Sequence, residues 1–359
     1  MQSTSSSPQV NSSVRTLVIG AGSWGTALAV AASQSGPVLL WSRHQEQADY
    51  INQHHRNPSY LPDIDLPKSL KASADKEAAI AFLRAAVDDS GDSAAESLII
   101  FGLPVKAMRQ GIQEWLTLFA DAGLEHIPYV WTCKGFEEET SLLPHEIIAD
   151  AVPNSKQPNG VLSGPTFARE VALGLPAAIT VASHQAIVGE RVIQALHSKQ
   201  TRVYYSQDVI GVEVGGAMKN VIALACGISD GLQLGNNARA ALITRGLNEI
   251  KRLGIAMGGE SETFSGLTGL GDLVLTSTGD LSRNRQVGLA LAKGQSLEEI
   301  LATGLTAEGV RCARAALARA TKLAIEMPIT EVVCDILFKD IDSLESVAKL
   351  LAREVKAEN

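Results

Sequence analysis

Short aliphatic runs alternate with stretches of helical spacing from Val14 to about Val203: TLVI at 16–19, VLLW at 38–41, LIIF at 98–101, YVW at 129–131 and AITV at 178–181. Strands separated by helices in this way predict an α/β domain with a Rossmann-like, doubly wound parallel sheet. Past about Tyr205 the strand signals fade. Alanine- and leucine-rich segments at 238–253, 296–302 and 310–324 predict an all-helical second domain. The organisation expected is a flexible, serine-rich tail at 1–13, a dinucleotide-binding domain at 14–203 and a helical substrate and catalytic domain at 204–359. The polar stretch at 88–96 reads as a surface loop before a strand.

Composition narrows the function classes. The chain has 359 residues, enough for two cores, and a formal charge of −8. No basic stripe interrupts that acidic balance, so neither a nucleic acid nor an anionic membrane is the expected partner. The tail has neither the basic start nor the apolar core of a signal peptide, and no run approaches the roughly 18 uninterrupted apolar residues of a membrane span. Cys133, Cys226, Cys312 and Cys334 are far apart and form no C-x-x-C pair. Reduced thiols in a cytoplasmic protein, without a metal site, are the expectation.

Gly20, Gly22 and Gly25 stand in G-x-G-x-x-G register directly after the first strand and open a helix that Gly36-Pro37 ends. Such glycines let a backbone approach a pyrophosphate, whose charge the free N–H groups of the helix start then stabilise. About 20 residues on, where an acid marks NAD-specific sites, the second strand ends in Trp41-Ser42-Arg43-His44 instead. With Arg43 and His44 at the ribose end, NADP is accepted as well as NAD, because a guanidinium pairs with a 2′-phosphate.

Lys219 is one of very few charges in the apolar segment 213–231, with the small residues Gly215 and Ala223 one turn away on either side and Cys226 a turn further along the same stripe. A lone lysine is ordinarily explained by a stem that covers apolar surface while its head reaches water. Burial, by contrast, lowers the pKa of an ammonium toward the range a general acid or base needs. Further clusters support the second reading. Lys134 follows the strand at 129–131, Gly164 and Thr166 stand in a small-residue turn at 162–168, and Asp272 and Ser282-Arg283-Asn284 supply a carboxylate and a phosphate clamp.

Together these features describe a nicotinamide enzyme acting on a phosphorylated carbonyl compound, and the chain resembles the bacterial-type NAD(P)-dependent glycerol-3-phosphate dehydrogenases. The landmarks are GAGSWGTA at 20–27, NPSYLPD at 57–63, Lys134-Gly135, SGPTFA at 163–168, GGAMKN at 215–220, ARAALITRG at 238–246, GLGDL at 269–273, SRNR at 282–285, Glu308-Gly309 and MPIT at 327–330. The resemblance implies reversible reduction of dihydroxyacetone phosphate to sn-glycerol 3-phosphate with NADH or NADPH, feeding glycerophospholipid synthesis. It implies Lys219 as proton donor and acceptor, and Lys134, Gly164, Thr166, Asp272, Ser282, Arg283 and Asn284 as substrate contacts. Ser23, Trp24, Arg43, Lys134, Ala168, Arg283 and Glu308 are implied as cofactor contacts, and a homodimer as the assembly. The tail and an enlarged stretch at 83–97 depart from the pattern and carry no expected catalytic role; the position around Thr306 is loosely patterned. A dehydrogenase of another small hydroxy acid and a non-catalytic dinucleotide sensor are the alternatives. The phosphate clamp speaks against the first and Lys219 against the second.

Overall fold

The computed structural model describes residues 13–85, 96–305, 307–339, 341–342 and 344–346. Most of the tail, most of the 83–97 stretch and Thr306 therefore lie outside the described residues.

Among the described residues ten strands form: β1 (Arg15–Ile19), β2 (Val38–Trp41), β3 (Arg56–Asn57), β4 (Leu61–Asp65), β5 (Lys71–Ser73), β6 (Ser97–Phe101), β7 (Tyr129–Trp131), β8 (Asn159–Ser163), β9 (Ala177–Ala182) and β10 (Thr201–Ser206). Eight of them build one sheet in the order β10-β9-β8-β7-β6-β1-β2-β5, and β3 and β4 pair as a separate antiparallel hairpin. The five apolar runs read from the sequence are β1, β2, β6, β7 and β9. The other sheet strands escaped notice because β5 and β10 are edges with exposed polar positions, and β8 starts with the polar pair Asn159-Gly160.

The expectation of a parallel sheet needs a correction at one border. β8 and β9 pair antiparallel, so β9 and β10, parallel to each other, run against the rest. The connection explains it. Its helix, Ala168–Ala172, has five residues and rises only about 7.5 Å, too little to carry the chain back along β8.

From β1 the chain proceeds outward through β2 and β5 and then returns to β6 on β1's other side, so the strand order reverses between β1 and β6. In open α/β sheets that reversal opens a crevice beyond the carboxyl ends of the strands. Two apolar clusters cover the two faces of the sheet. A third fills the helical region around the helix Val209–Gly231, whose residues from Gly211 to Ser229 are all buried. Helices Gly235–Ala256, Asp272–Thr278, Arg283–Ala292, Glu308–Lys322 and Pro328–Phe338 surround it. This central helix reaches the length and mean hydropathy, 1.5, of a membrane span, but 94% of that window is buried inside the protein. Its all-round apolarity is that of a core helix.

The turn after β1 is the tightest point of the sheet region. Gly20 has φ +115°, and a Cβ at Gly25 would stand 1.9 Å from the Gly20 carbonyl oxygen. Gly25→Ala is therefore expected to cost about 1–3 kcal/mol of stability and to weaken dinucleotide binding. Thermal unfolding with and without NADPH checks this, and an unchanged midpoint and ligand shift would contradict it.

Candidate active site

Lys219 is 7% exposed, and its Nζ donates to Oδ1 of Asp272, which is 0% exposed. Oδ2 of the same carboxylate accepts from Lys134 Nζ at 2.7 Å, and Lys134 Nζ also donates to the Gly164 carbonyl at 3.1 Å. One buried carboxylate thus holds two ammonium groups that come from different parts of the fold. Lys134 stands on the loop after β7, Lys219 on the central helix and Asp272 on the first turn of Asp272–Thr278. A π-helix, Leu267–Gly271, leads directly into Asp272, an irregularity common at functional sites. The central helix accommodates this backbone because position 215 has no side chain: a Cβ there would be 2.6 Å from the Thr268 carbonyl oxygen. The small-residue stripe read from the sequence is thus met by another backbone at Gly215.

Burial lowers the Lys219 pKa to about 8; Asp272 opposes that shift and the charge of Lys134 adds to it. Glu308, at the start of Glu308–Lys322, is half-buried. Desolvation raises its pKa, against the lowering influence of Arg283, Lys219 and Lys134. Glu308 and Arg283 therefore belong to the same electrostatic cluster as the two lysines.

The Ser282-Arg283-Asn284 segment divides its duties. Ser282 is the N-cap of Arg283–Ala292 and accepts from Arg285 N at 3.3 Å. Asn284 is buried: its Nδ2 donates to Asn220 Oδ1 at 2.9 Å and its Oδ1 accepts from Gly309 N at 2.9 Å. Arg283 is the exposed member of the three. The serine hydroxyl retains its proton for donation, while both ends of the Asn284 amide face protein groups. Arg285 pairs with Asp230 at 2.8 Å and with Asp280 at 3.0 Å.

The glycine turn fits a dinucleotide on structural grounds. A Cβ at Gly22 would meet nothing within 4 Å, and Gly22 caps the helix Ser23–Ala32 without a side-chain hydrogen bond, so no capping side chain competes for the first helical N–H groups. Asn57 braces the turn, donating to the Ala21 carbonyl at 3.0 Å and to Thr26 Oγ1 at 2.8 Å. Ser23 Oγ donates to the Tyr60 carbonyl at 3.2 Å, and Trp24 and Ala168 pack on the same cluster. Arg43 and His44 are exposed beyond β2, joined by a hydrogen bond from Arg43 Nε to His44 Nε2 of 2.8 Å. Thr166, half-buried, donates to the Gly164 carbonyl at 3.3 Å.

The glycine turn and the lysine cluster are joined along the strand ends. A Cβ at Gly20 would lie 2.7 Å from the Gly102 carbonyl oxygen after β6, and one at Gly135, next to Lys134, 3.5 Å from Val105. The residues missed in the sequence are Asn220, which positions Asn284, and Thr276, whose hydroxyl donates to Asp272 Oδ1 at 3.4 Å. A usable signal existed for both: Asn220 follows Lys219, and Thr276 stands one helical turn after Asp272. Among the described residues no group of three or more His, Cys, Asp or Glu could hold a metal.

Comparison with known proteins gives one answer along the chain. Residues 16–188 match the family described as NAD-dependent glycerol-3-phosphate dehydrogenase N-terminus, and residues 208–348 match its C-terminus. A glycerol-3-phosphate dehydrogenase, NAD(P)+, of Burkholderia orbicola (strain MC0-3) is 51% identical over 346 residues, which are 96% of this chain and 100% of that protein. The crystal structure of a glycerol-3-phosphate dehydrogenase from Coxiella burnetii superposes with a TM-score of 0.83 at 40% identity, covering 94% of this chain and 99% of that one. The glycerol-3-phosphate dehydrogenase structure from Saccharomyces cerevisiae gives a TM-score of 0.76 at 26% identity, with 95% and 99% covered. The strand order, the helical second half and these matches agree, and the chain belongs to the NAD-dependent glycerol-3-phosphate dehydrogenase family.

Proposed function

We propose that this protein reduces dihydroxyacetone phosphate to sn-glycerol 3-phosphate, reversibly, with NADH or NADPH, and so feeds glycerophospholipid synthesis. The observation that carries this reading is the pairing of Lys134 and Lys219 on the buried carboxylate of Asp272, with Lys134 just beyond the carboxyl end of β7 and the glycine turn just beyond that of β1.

Gly20, Gly22, Gly25, Ser23 and Trp24 would hold the dinucleotide, with Arg43 and His44 at its ribose end and Lys134, Ala168, Arg283 and Glu308 toward the nicotinamide. The chemistry supplied by that group, when bound, is hydride transfer to and from C2 of the three-carbon substrate. The chain's own task is the proton. Reduction leaves a negative charge developing on the C2 oxygen, and the Lys219 ammonium is suited to polarise that carbonyl and then protonate it. Asp272 orients Lys219, and burial, with the charge of Lys134 adding to it, eases release of the proton by holding the Lys219 pKa near 8 against the opposing pull of Asp272. Gly164, Thr166, Ser282 and Arg283 offer a carbonyl, two hydroxyls and a guanidinium to the substrate, with Arg283 on the phosphate and Asn284 fixing the segment that carries it. A dinucleotide sensor would need no buried proton donor. A cytoplasmic location, with which four free, buried cysteines agree, and a homodimer, supported by the family resemblance alone, complete the proposal.

Lys219→Ala should lower kcat about a thousandfold with dinucleotide binding nearly intact. Stopped-flow turnover and dinucleotide fluorescence measure the two, and turnover within about tenfold of wild type would remove Lys219 from the mechanism. Because the donor must be protonated for reduction, kcat/KM for dihydroxyacetone phosphate should be level at low pH and fall as pH rises through about 8. Oxidation of glycerol 3-phosphate should rise through the same range, and parallel profiles for the two directions would refute the assignment. Arg283→Ala should raise the substrate KM about tenfold or more, and an unchanged KM would refute the clamp.

A further inference from the structure

Glu213 is a carboxylate with 3% exposure on the central helix, six residues before Lys219. It accepts from Trp131 Nε1 at 2.7 Å, from His145 N at 3.0 Å and from His145 Nδ1. Both partners belong to elements on the sheet side: Trp131 ends β7, and His145 is the second residue of the helix Pro144–Ala151. A buried carboxylate is costly unless it is hydrogen-bonded, and here three donors bind it.

The contacts that follow are spaced one helical turn apart. Three residues after Glu213, Gly216 leaves room for the Lys134 side chain: a Cβ there would be 3.3 Å from Lys134 Cγ and Cδ and 3.2 Å from Ser163 Oγ. Three residues further is Lys219, which shares Asp272 with the Lys134 ammonium. Residues 131–134 therefore run alongside the helix, with Trp131 on Glu213, the Lys134 stem on Gly216 and the Lys134 head on the carboxylate that Lys219 also binds.

Hydrophobic burial alone does not fix this register. The central helix is buried on nearly every side, and a slip of one residue would turn Lys219 by about 100° and move it about 1.5 Å while most apolar residues still met apolar neighbours. The close backbone approaches at Gly215 and Gly227 oppose the slip sterically, and the directional bonds to Trp131 and His145 oppose it on the side that carries Lys134. We propose that Glu213 is a positioning residue for the reaction, setting the rotation and height of the central helix against the loop after β7 so that Lys219 and Lys134 meet on Asp272. The proposal rests on the assignment of Lys219 as proton donor.

The electrostatics are consistent with such a joint. Burial acts to lower the His145 pKa, but the hydrogen bond and charge of Glu213, with Glu146, prevail over it and over Arg319, and the net shift is upward. The buried Cys133 thiol is pushed up, first by burial and then by the charges of Glu213 and Glu308. Around Lys219 the charged groups are Asp272, Lys134 and Glu308. If the joint loosens and Lys134 withdraws, Lys219 loses the neighbour whose charge lowers its pKa, so that pKa should rise.

The test compares wild type, Glu213→Gln, Trp131→Phe and the double variant by steady-state kinetics over pH and by thermal unfolding. Expected for Glu213→Gln are a kcat about tenfold or more below wild type, KM values within about threefold, and an upward move of the basic limb of the reduction profile. Trp131→Phe should show the same signature, and the double variant should lose no more than the weaker single. Wild-type kcat and pH profile with only a lowered unfolding midpoint would overturn the proposal, leaving Glu213 a brace. Should Glu213→Gln not fold, Trp131→Phe alone decides between these outcomes. A Lys219→Ala enzyme that retained turnover would overturn the proton-donor assignment and this proposal together; an inactive Lys219→Ala beside a normal Glu213→Gln would overturn the positioning role alone.

Discussion

The carboxylate of Asp272, with no exposed surface, holds the ammonium groups of Lys134 and Lys219. Three charges in so confined a place are tolerable only because each is bonded, since stripping an ion of water costs several kcal/mol that good geometry must offset. Many features of the fold serve that geometry. The sheet delivers Lys134 from the end of β7, the central helix delivers Lys219, and the π-helical segment Leu267–Gly271 brings Asp272 up to both.

The same arrangement sets the chemistry. A lysine that were merely buried would lose its proton too readily, and one paired with a carboxylate alone would hold it too firmly. Desolvation and Lys134 push Lys219 down, Asp272 pushes it back, and the balance near 8 keeps both protonation states within reach of neutral pH. The dinucleotide turn is built separately, from glycines that allow backbone to touch backbone and from the brace of Asn57, yet it opens on the same row of strand ends.

Much of this was legible in the sequence. The glycine spacing followed an unmistakable strand, and Lys219 stood out as a charge among apolar residues. What stayed hidden depends on distance along the chain or on competing uses of one side chain. Nothing local links Lys134 to Asp272, 138 residues apart, or Trp131 to Glu213, 82 residues apart. Ser282-Arg283-Asn284 reads as a clamp, but a serine ahead of a helix is also the commonest cap, and the structure shows its oxygen accepting from Arg285 N. The reversed β9 was invisible because its apolar pattern suits either direction, and the length of the connecting helix decided the matter.

The most direct measurement follows the near-ultraviolet absorbance of NADPH, and separately NADH, when dihydroxyacetone phosphate is added to the purified protein. The absorbance should fall in dependence on the phosphorylated substrate, with glycerol 3-phosphate as product. No fall with either dinucleotide, while binding of the dinucleotide was still detected, would contradict the proposed reaction.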